Sequence, residues 1–292
     1  MSFDVYQAVT DRLVAQLEKG VGEWRMPWHG EGLQLPKSVA GRYYRGINIP
    51  VLWVAAEAKG YANPIWATYR QWSDQGAQVR KRERSTMVVF WKEFAAAPKD
   101  DDDNGHRFVA RAFNVFNAEQ VDDFAAPTPE IIHLPDSERI AHLDAFFADL
   151  GANVIYGGNR AFYRHKRNDG TGDEIHMPPF SSFISAWHFY ATLGHEHIHW
   201  VGAPDRLNRE FGRFGDQAYS FEELVAEWGA AYLCAILGLD NEPRADHAAY
   251  MQGWLAILRK HPRAVFTAAS KAQQAVDYLI GKQQQTGVGE AA

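Results

Sequence analysis

Only one cysteine, Cys234, occurs in the 292 residues. No disulfide can form within the chain, and a reducing, cytoplasmic setting is expected. No apolar run reaches the roughly 18–20 residues that a membrane span requires; the longest, Ala230 to Leu239, is too short. The opening residues Met1-Ser2-Phe3-Asp4 lack the basic start and apolar stretch of a signal peptide. There is no internal repeat, which excludes a solenoid. An overall positive charge is missing too, since 30 Lys and Arg face 36 Asp and Glu for a net −6.

What remains is a globular composition, 46% hydrophobic and 23% charged, at a length that favours two domains. The charge is uneven. Residues 41–92 hold nine basic and three acidic residues, whereas residues 125–292 hold 14 basic and 20 acidic ones. An anionic partner would therefore be met by the first half only.

Apolar residues at 3, 6, 9, 13 and 17 predict a first helix, ended by Gly20 and Gly22. Short helices are expected over Pro50–Lys59 and, capped by Thr68, over Thr68–Gln75. Strands are expected over Thr86–Phe94 and Phe108–Phe116, rich in Val and aromatic residues. Ala125 to Pro135, with three prolines, marks a linker. The boundaries that follow are a domain over 1–124, a linker over 125–136, a second domain over 137–282 and a disordered tail over 283–292. In the second domain the pattern predicts a helix from Ser137, strands over Val154–His165 and Glu174–Pro178, and long helices over Ser181–Trp200 and Ser220–Leu237. Two more helices are expected over Ala245–Lys260 and Arg263–Gly281.

The segment His195-Glu196-His197-Ile198-His199 lies in the first of those long helices. Four-residue spacing puts His195 and His199 on one helical face, where both can reach a single Zn²⁺. Glu196 points elsewhere and suits a general base acting on water. With twelve histidines in the chain, chance alone yields such a segment at the level of a few per cent. The bland alternative is a surface helix with clustered histidines. Zinc needs a third protein ligand. Glu223 is the first choice, with Glu227, four residues on, steadying a ligand histidine from behind. Ser220-x-x-Glu223 also reads as a capping box, in which case Glu227 becomes the ligand. Asp205 is the other alternative, because His195 to Asp205 spells H-E-x-x-H-x-x-G-x-x-D, although no Met-turn surrounds Met251. Mn²⁺ or Co²⁺ suits the same ligands. Tyr219 or Tyr163 is a candidate oxyanion stabiliser.

The first half interleaves rings with cations, a combination that binds single-stranded nucleic acid by stacking and phosphate contact. The candidate contacts are Trp24, Arg25, Trp28, Tyr44, Arg45, Asn48, Arg70, Arg80, Lys81 and Arg82. Trp53, Trp66, Phe90 and Trp91 are read as core.

Several segments in one order carry a family resemblance. They include Leu17 to Val21, Trp24-Arg25-Met26-Pro27-Trp28, Tyr44-Arg45-Gly46-Ile47-Asn48, Phe90-Trp91, Val115 to Gln120, Asn159 to Tyr163, His195 to Trp200, Arg206 to Arg209 and Glu222 to Glu227. On these the chain resembles the ArdC-type antirestriction proteins of conjugative plasmids, from about Val5 to about Leu239. The resemblance implies an α+β protein in which an N-terminal α+β domain that binds single-stranded DNA precedes a zincin-like metallopeptidase domain. It also implies protection of incoming single-stranded DNA, with a protein of the host restriction machinery as a candidate substrate. Two departures stand out. Acidic Asp100–Asp103 must point away from a phosphate-binding face, and Gly194 should loosen the start of the metal helix. Two other readings stay open, a strand-coating protein with a silent metal domain and a peptidase independent of nucleic acid.

Overall fold

A computed structural model describes residues 4–20, 34–95, 106–125, 136–167, 169–212, 216–239 and 247–289. Trp24, Arg25 and Trp28, the acidic run Asp100–Asp103 and most of the expected linker lie outside them.

The chain opens with helix α1 (Val5–Gly20) and then builds a four-stranded sheet in the order β1 (Lys37–Ser38), β2 (Ile65–Thr68), β5 (His106–Asn117), β4 (Thr86–Ala95). Only the β1–β2 pair is parallel. The two long strands β4 and β5 form a ribbon in which Phe90 stands opposite Arg111 and Val88 opposite Phe113. Alternation along β4 buries Val88 on one face, against Tyr44, Leu52 and Trp66, and Met87 and Val89 on the other. Because β4 is the sheet's edge, pairing covers only one of its sides. Helix α2 (Asn48–Lys59) packs beside it. The Asn48 amide donates to Val89 O at 2.8 Å and accepts from Val89 N at 2.8 Å. Helix α3 (Tyr69–Asp74) starts on the expected Thr68 cap, completed into a capping box by Gln71. A two-stranded sheet of β3 (Gln78–Val79) and β6 (Val121–Asp122) closes this region.

The second half contains α4 (Asp136–Asp149) and a three-stranded sheet ordered β7 (Asn153–Tyr156), β9 (Glu174–Met177), β8 (Phe162–Arg164). Four helices follow: α5 (Ala186–Trp200), α6 (Gln217–Leu237), α7 (His247–Lys260) and α8 (Ala264–Gly289). The single strand expected over Val154–His165 is divided, because Gly157 and Gly158 adopt positive φ between β7 and β8. Helix α5 begins later than expected, at Ala186, where the Ser185 side chain accepts from His188 N at 3.0 Å. Gly194 thus sits in mid-helix rather than at a helix start. Its missing side chain admits the neighbour, since an added Cβ would lie 3.3 Å from Leu233 Cδ2. The tail expected to be disordered from Gln283 is instead the end of α8, helical through Gly289. Lys282 Nζ donates to Leu150 O at 3.0 Å and the Gln283 amide to Phe146 O at 2.9 Å, tying that turn to α4. Among the described residues no helix is long and apolar enough to cross a membrane.

One apolar cluster crosses the expected domain boundary. It joins Val9, Leu13, Ile49, Trp53 and Val89 from before the linker to Leu143, Ile198, Trp228, Tyr232 and Val276 from after it. The Tyr232 hydroxyl donates to Gly46 O at 3.2 Å, and Thr10 Oγ1 donates to Pro262 O at 2.7 Å. Within this core α5 and α6 are in close contact where Ile198 faces Gly229. A Cβ on Gly229 would stand 2.9 Å from three carbons of Ile198, inside van der Waals contact. Gly229→Ala is expected to cost about 1–3 kcal/mol by overpacking, read as a lower denaturation midpoint with an unchanged m-value. An unchanged midpoint would mean that this contact does not set the helix spacing.

Candidate metal centre

Helix α5 is buried from Phe189 to Trp200, so its histidines are held by packing on every side. The four-residue spacing brings His195 Nε2 within 3.1 Å of His199 Nε2. From α6, Glu223 Oε2 lies 3.5 Å from His195 Nε2 and Glu223 Oε1 lies 3.5 Å from His199 Nε2. Ligands about 2.0–2.1 Å from a tetrahedral ion stand roughly 3.3 Å apart, so this spacing fits one small divalent cation. Among the described residues, His195, His199 and Glu223 form the group whose donor atoms all lie within 4.8 Å of one another. Glu196, the next residue on α5, is buried at 3% exposure.

The capping box that would have occupied Glu223 does not form. Helix α6 starts three residues earlier than expected, where the Asp216 side chain accepts from Tyr219 N at 2.7 Å. Ser220 lies inside the first turn and donates to Asp216 O at 3.1 Å. Glu227 Oε2 faces His195 Nδ1 at 3.9 Å, behind the ring. Asp205 is not brought to the cluster; its largely exposed carboxylate pairs with Arg206 at 3.4 Å. His197 faces away, its Nδ1 2.8 Å from Leu193 O and its ring against Phe147, and burial lowers its pKa to about 4.

Sequence reasoning missed Glu222 and Arg209. Glu222 Oε1 is 3.2 Å from His199 Nδ1, and the Arg209 guanidinium grips the same carboxylate, its Nε 3.0 Å from Oε2 and a terminal nitrogen 2.6 Å from Oε1. The Arg209 fork also donates to Ile198 O, which anchors it to the metal helix. Burial works against the charge on Glu222, but His199 and Arg209 outweigh it and hold the carboxyl below its usual range. Arg209 stands in a segment noted only for its resemblance, and only the path of the loop after α5 reveals its target.

Of the two candidate oxyanion stabilisers, Tyr163 is engaged elsewhere. The Tyr163 hydroxyl donates to Asp173 at 2.8 Å and accepts from Arg206, so it braces the loop after α5. Arg206 itself stacks on Trp200 at 4.1 Å. His165 was not singled out, yet its ring lies 4.1 Å from that of Phe211, which in turn is 6.4 Å from His199. Burial, followed by the charge on His199, lowers its pKa.

With this fold and donor set described, comparison with known proteins is decisive. Residues 3–116 match the N-terminal domain of the anti-restriction factor ArdC, and residues 141–271 match a zincin-like metallopeptidase. Protein y4eC of Sinorhizobium fredii is 45% identical over 291 residues, covering 96% of this chain and 92% of that protein. The chain belongs to the ArdC antirestriction family. Two crystal structures of the antirestriction ArdC protein from plasmid R388 superpose at a TM-score of 0.77. The metal-free one is 40% identical and covers 97% of this chain and 99% of that one. The Mn(II)-bound one is 42% identical and covers 96% and 98%. A DNA primase TraC of Escherichia coli is 34% identical over 301 residues, but the chain spans 27% of its length. The ArdC family thus joins an antirestriction N-terminal domain to a zincin-like fold, a fold that suggests a divalent metal.

Burial disfavours charge on His199, yet Glu223 and Glu222 overcome it and raise its pKa. Because the carboxylates favour the charged form of His199, a metal entering the cluster would have to displace a proton. Binding should release about one proton, and affinity should fall as pH drops below neutral; calorimetry in buffers of differing ionisation enthalpy reads both. Glu222→Gln should weaken metal binding about 10- to 100-fold by loosening His199, as measured by chelator competition. Equal affinity in that variant would leave Glu222 a purely structural role.

Proposed function

We propose that this chain binds single-stranded DNA and hydrolyses peptide bonds at a divalent-cation centre, so protecting incoming DNA from host restriction. The observation that carries the reading is the convergence of His195, His199 and Glu223 donor atoms in a buried pocket beside Glu196. Zn²⁺ suits two imidazoles and one carboxylate with a position left for water, and Mn²⁺ fits the same set, as the Mn(II)-bound relative illustrates. Held by His195, His199 and Glu223, such a cation would supply Lewis acidity for activating water.

The protein's own residues do the rest. Glu196 accepts the proton of the attacking water and returns it to the departing amine. Glu222, locked by Arg209, keeps the His199 ring turned towards the pocket, and Glu227 does the same more loosely for His195. Tyr163 is committed to Asp173, which leaves Tyr219, in the first turn of α6, and His165 as the side chains suited to steady a developing oxyanion. A neutral imidazole at His165 can donate one hydrogen bond without importing charge.

For DNA, several contacts expected from sequence are otherwise engaged. Tyr44 is buried and donates to Trp66 O. Asn48 spends its amide on Val89, and Arg80 spends its guanidinium on the carbonyls of Glu119 and Val121. Arg45, Arg70, Lys81 and Arg82 stay exposed. The strand and the peptidase centre then act together, with a DNA-bound protein as the candidate substrate.

Glu196→Gln should keep its metal and lose hydrolysis of a protein substrate by on the order of 10²–10⁴-fold. Elemental analysis and a peptide-release assay read the two properties separately. Full protection of transferred DNA by that variant would favour strand coating over proteolysis.

A further inference from the structure

Phe90 and Trp91, read from sequence as core, are 47% and 46% exposed. The cause is topological, because β4 is an edge strand and neighbouring residues project to its two faces. Phe90 meets Phe113 edge-on at 5.4 Å on one face, and Trp91 leans on Tyr6 at 5.8 Å on the other. Between this edge and helix α8 runs an open groove of about 820 Å³. Tyr43, 61% exposed, adds a third ring to its wall.

The groove is also cationic. Arg45 comes from the first half, and Arg263 and Lys271 come from the start of α8 and its second turn onward. Arg263 lies over the Tyr6 ring at 4.8 Å. The carboxylate lining the groove, Asp277, is already paired with Arg45. Neither Arg263 nor Lys271 has a carboxylate partner among the described residues. Three accessible rings and a cationic surplus in an open groove suit a flexible polyanion with flat bases. An extended peptide paired to the free edge of β4 would use backbone groups. Asn48 already occupies those of Val89, which favours the nucleic acid.

We infer that a single strand of DNA lies in the groove between the β4 edge and α8, with bases stacked on Phe90, Trp91 and Tyr43 and phosphates held by Arg263 and Lys271. This rests on the reading that the chain binds single-stranded DNA, and it makes the last helix of the metallopeptidase half part of the strand's seat. The test is fluorescence anisotropy of a labelled oligothymidylate with the full-length protein. The variants are Phe90→Ala, Trp91→Ala, Arg263→Gln and Lys271→Gln, with Arg70→Gln and Lys81→Gln on the α3 and β3 side as comparison. All six positions are half-buried or exposed, and circular dichroism checks that each variant folds.

Each ring removed should weaken binding about tenfold. Each cation removed should lower the slope of log Kd against log salt by about 0.7. The comparison variants should stay within about twofold of wild type. Wild-type binding with no loss in the groove variants, including the case in which an extended peptide competes only there, overturns this location while leaving DNA binding intact. Larger losses at Arg70 and Lys81 than in the groove overturn it in the same way. A wild-type protein that binds no oligonucleotide overturns the DNA-binding reading itself.

Discussion

The approach of α5 to α6 governs everything downstream of it. Two imidazoles on one helix cannot close a cation site; the third donor must arrive from a second helix at one height and one rotation. Ile198 seated on Gly229, and Gly194 against Leu233, set that height. The rotation then follows from helical geometry. With α6 turned so that Glu223 faces the histidines, Glu227 falls behind His195 and Glu222 behind His199. Two packing contacts therefore position three carboxylates, two of which face the back of a ring rather than its front.

Such close packing has an electrostatic cost. Four carboxylates, of Glu196, Glu222, Glu223 and Glu227, share a nearly dry space with the imidazoles of His195 and His199 and the Arg209 guanidinium. Isolated buried charges there would be expensive, so each is matched by another. Arg209 neutralises Glu222, the two imidazoles hold the Glu223 carboxyl below its usual range, and the Arg209 fork binds the backbone of α5 itself. A network cross-bonded in this way is rigid, and rigidity would keep a donor set spaced for an ion before the ion arrives.

Local features were readable from residues alone. The apolar stretch around His195-Glu196-His197-Ile198-His199 located helix α5, the Thr68 cap placed α3, and richness in Val and aromatic residues located β4 and β5. The choice of Glu223 over the capping alternative depended on where α6 begins, and Asp216 rather than Ser220 proved to be the cap. Contacts between distant segments were not readable. Arg209 reaches Glu222 only because the loop after α5 doubles back, and no periodicity encodes that path. Phe90 and Trp91 have the composition of core residues, but their exposure depends on strand order, which a single strand's pattern does not contain. The same limit hid the shared core. Proline-rich residues 125–135 suggested separate domains, whereas Trp53 meets Tyr232 at 5.8 Å across that boundary.

The Tyr232 hydroxyl bond to Gly46 gives that shared core a further meaning. Tyr232 sits on α6 little more than one turn beyond Glu227, and Gly46 adjoins Arg45 on the wall of the groove. The offset between the groove and the zincin pocket is thus set by packed side chains rather than by a slack tether. A polymer seated in one would hold whatever rides on it at a set reach from the other, as a caliper does, and lengthening the linker would leave that reach unchanged.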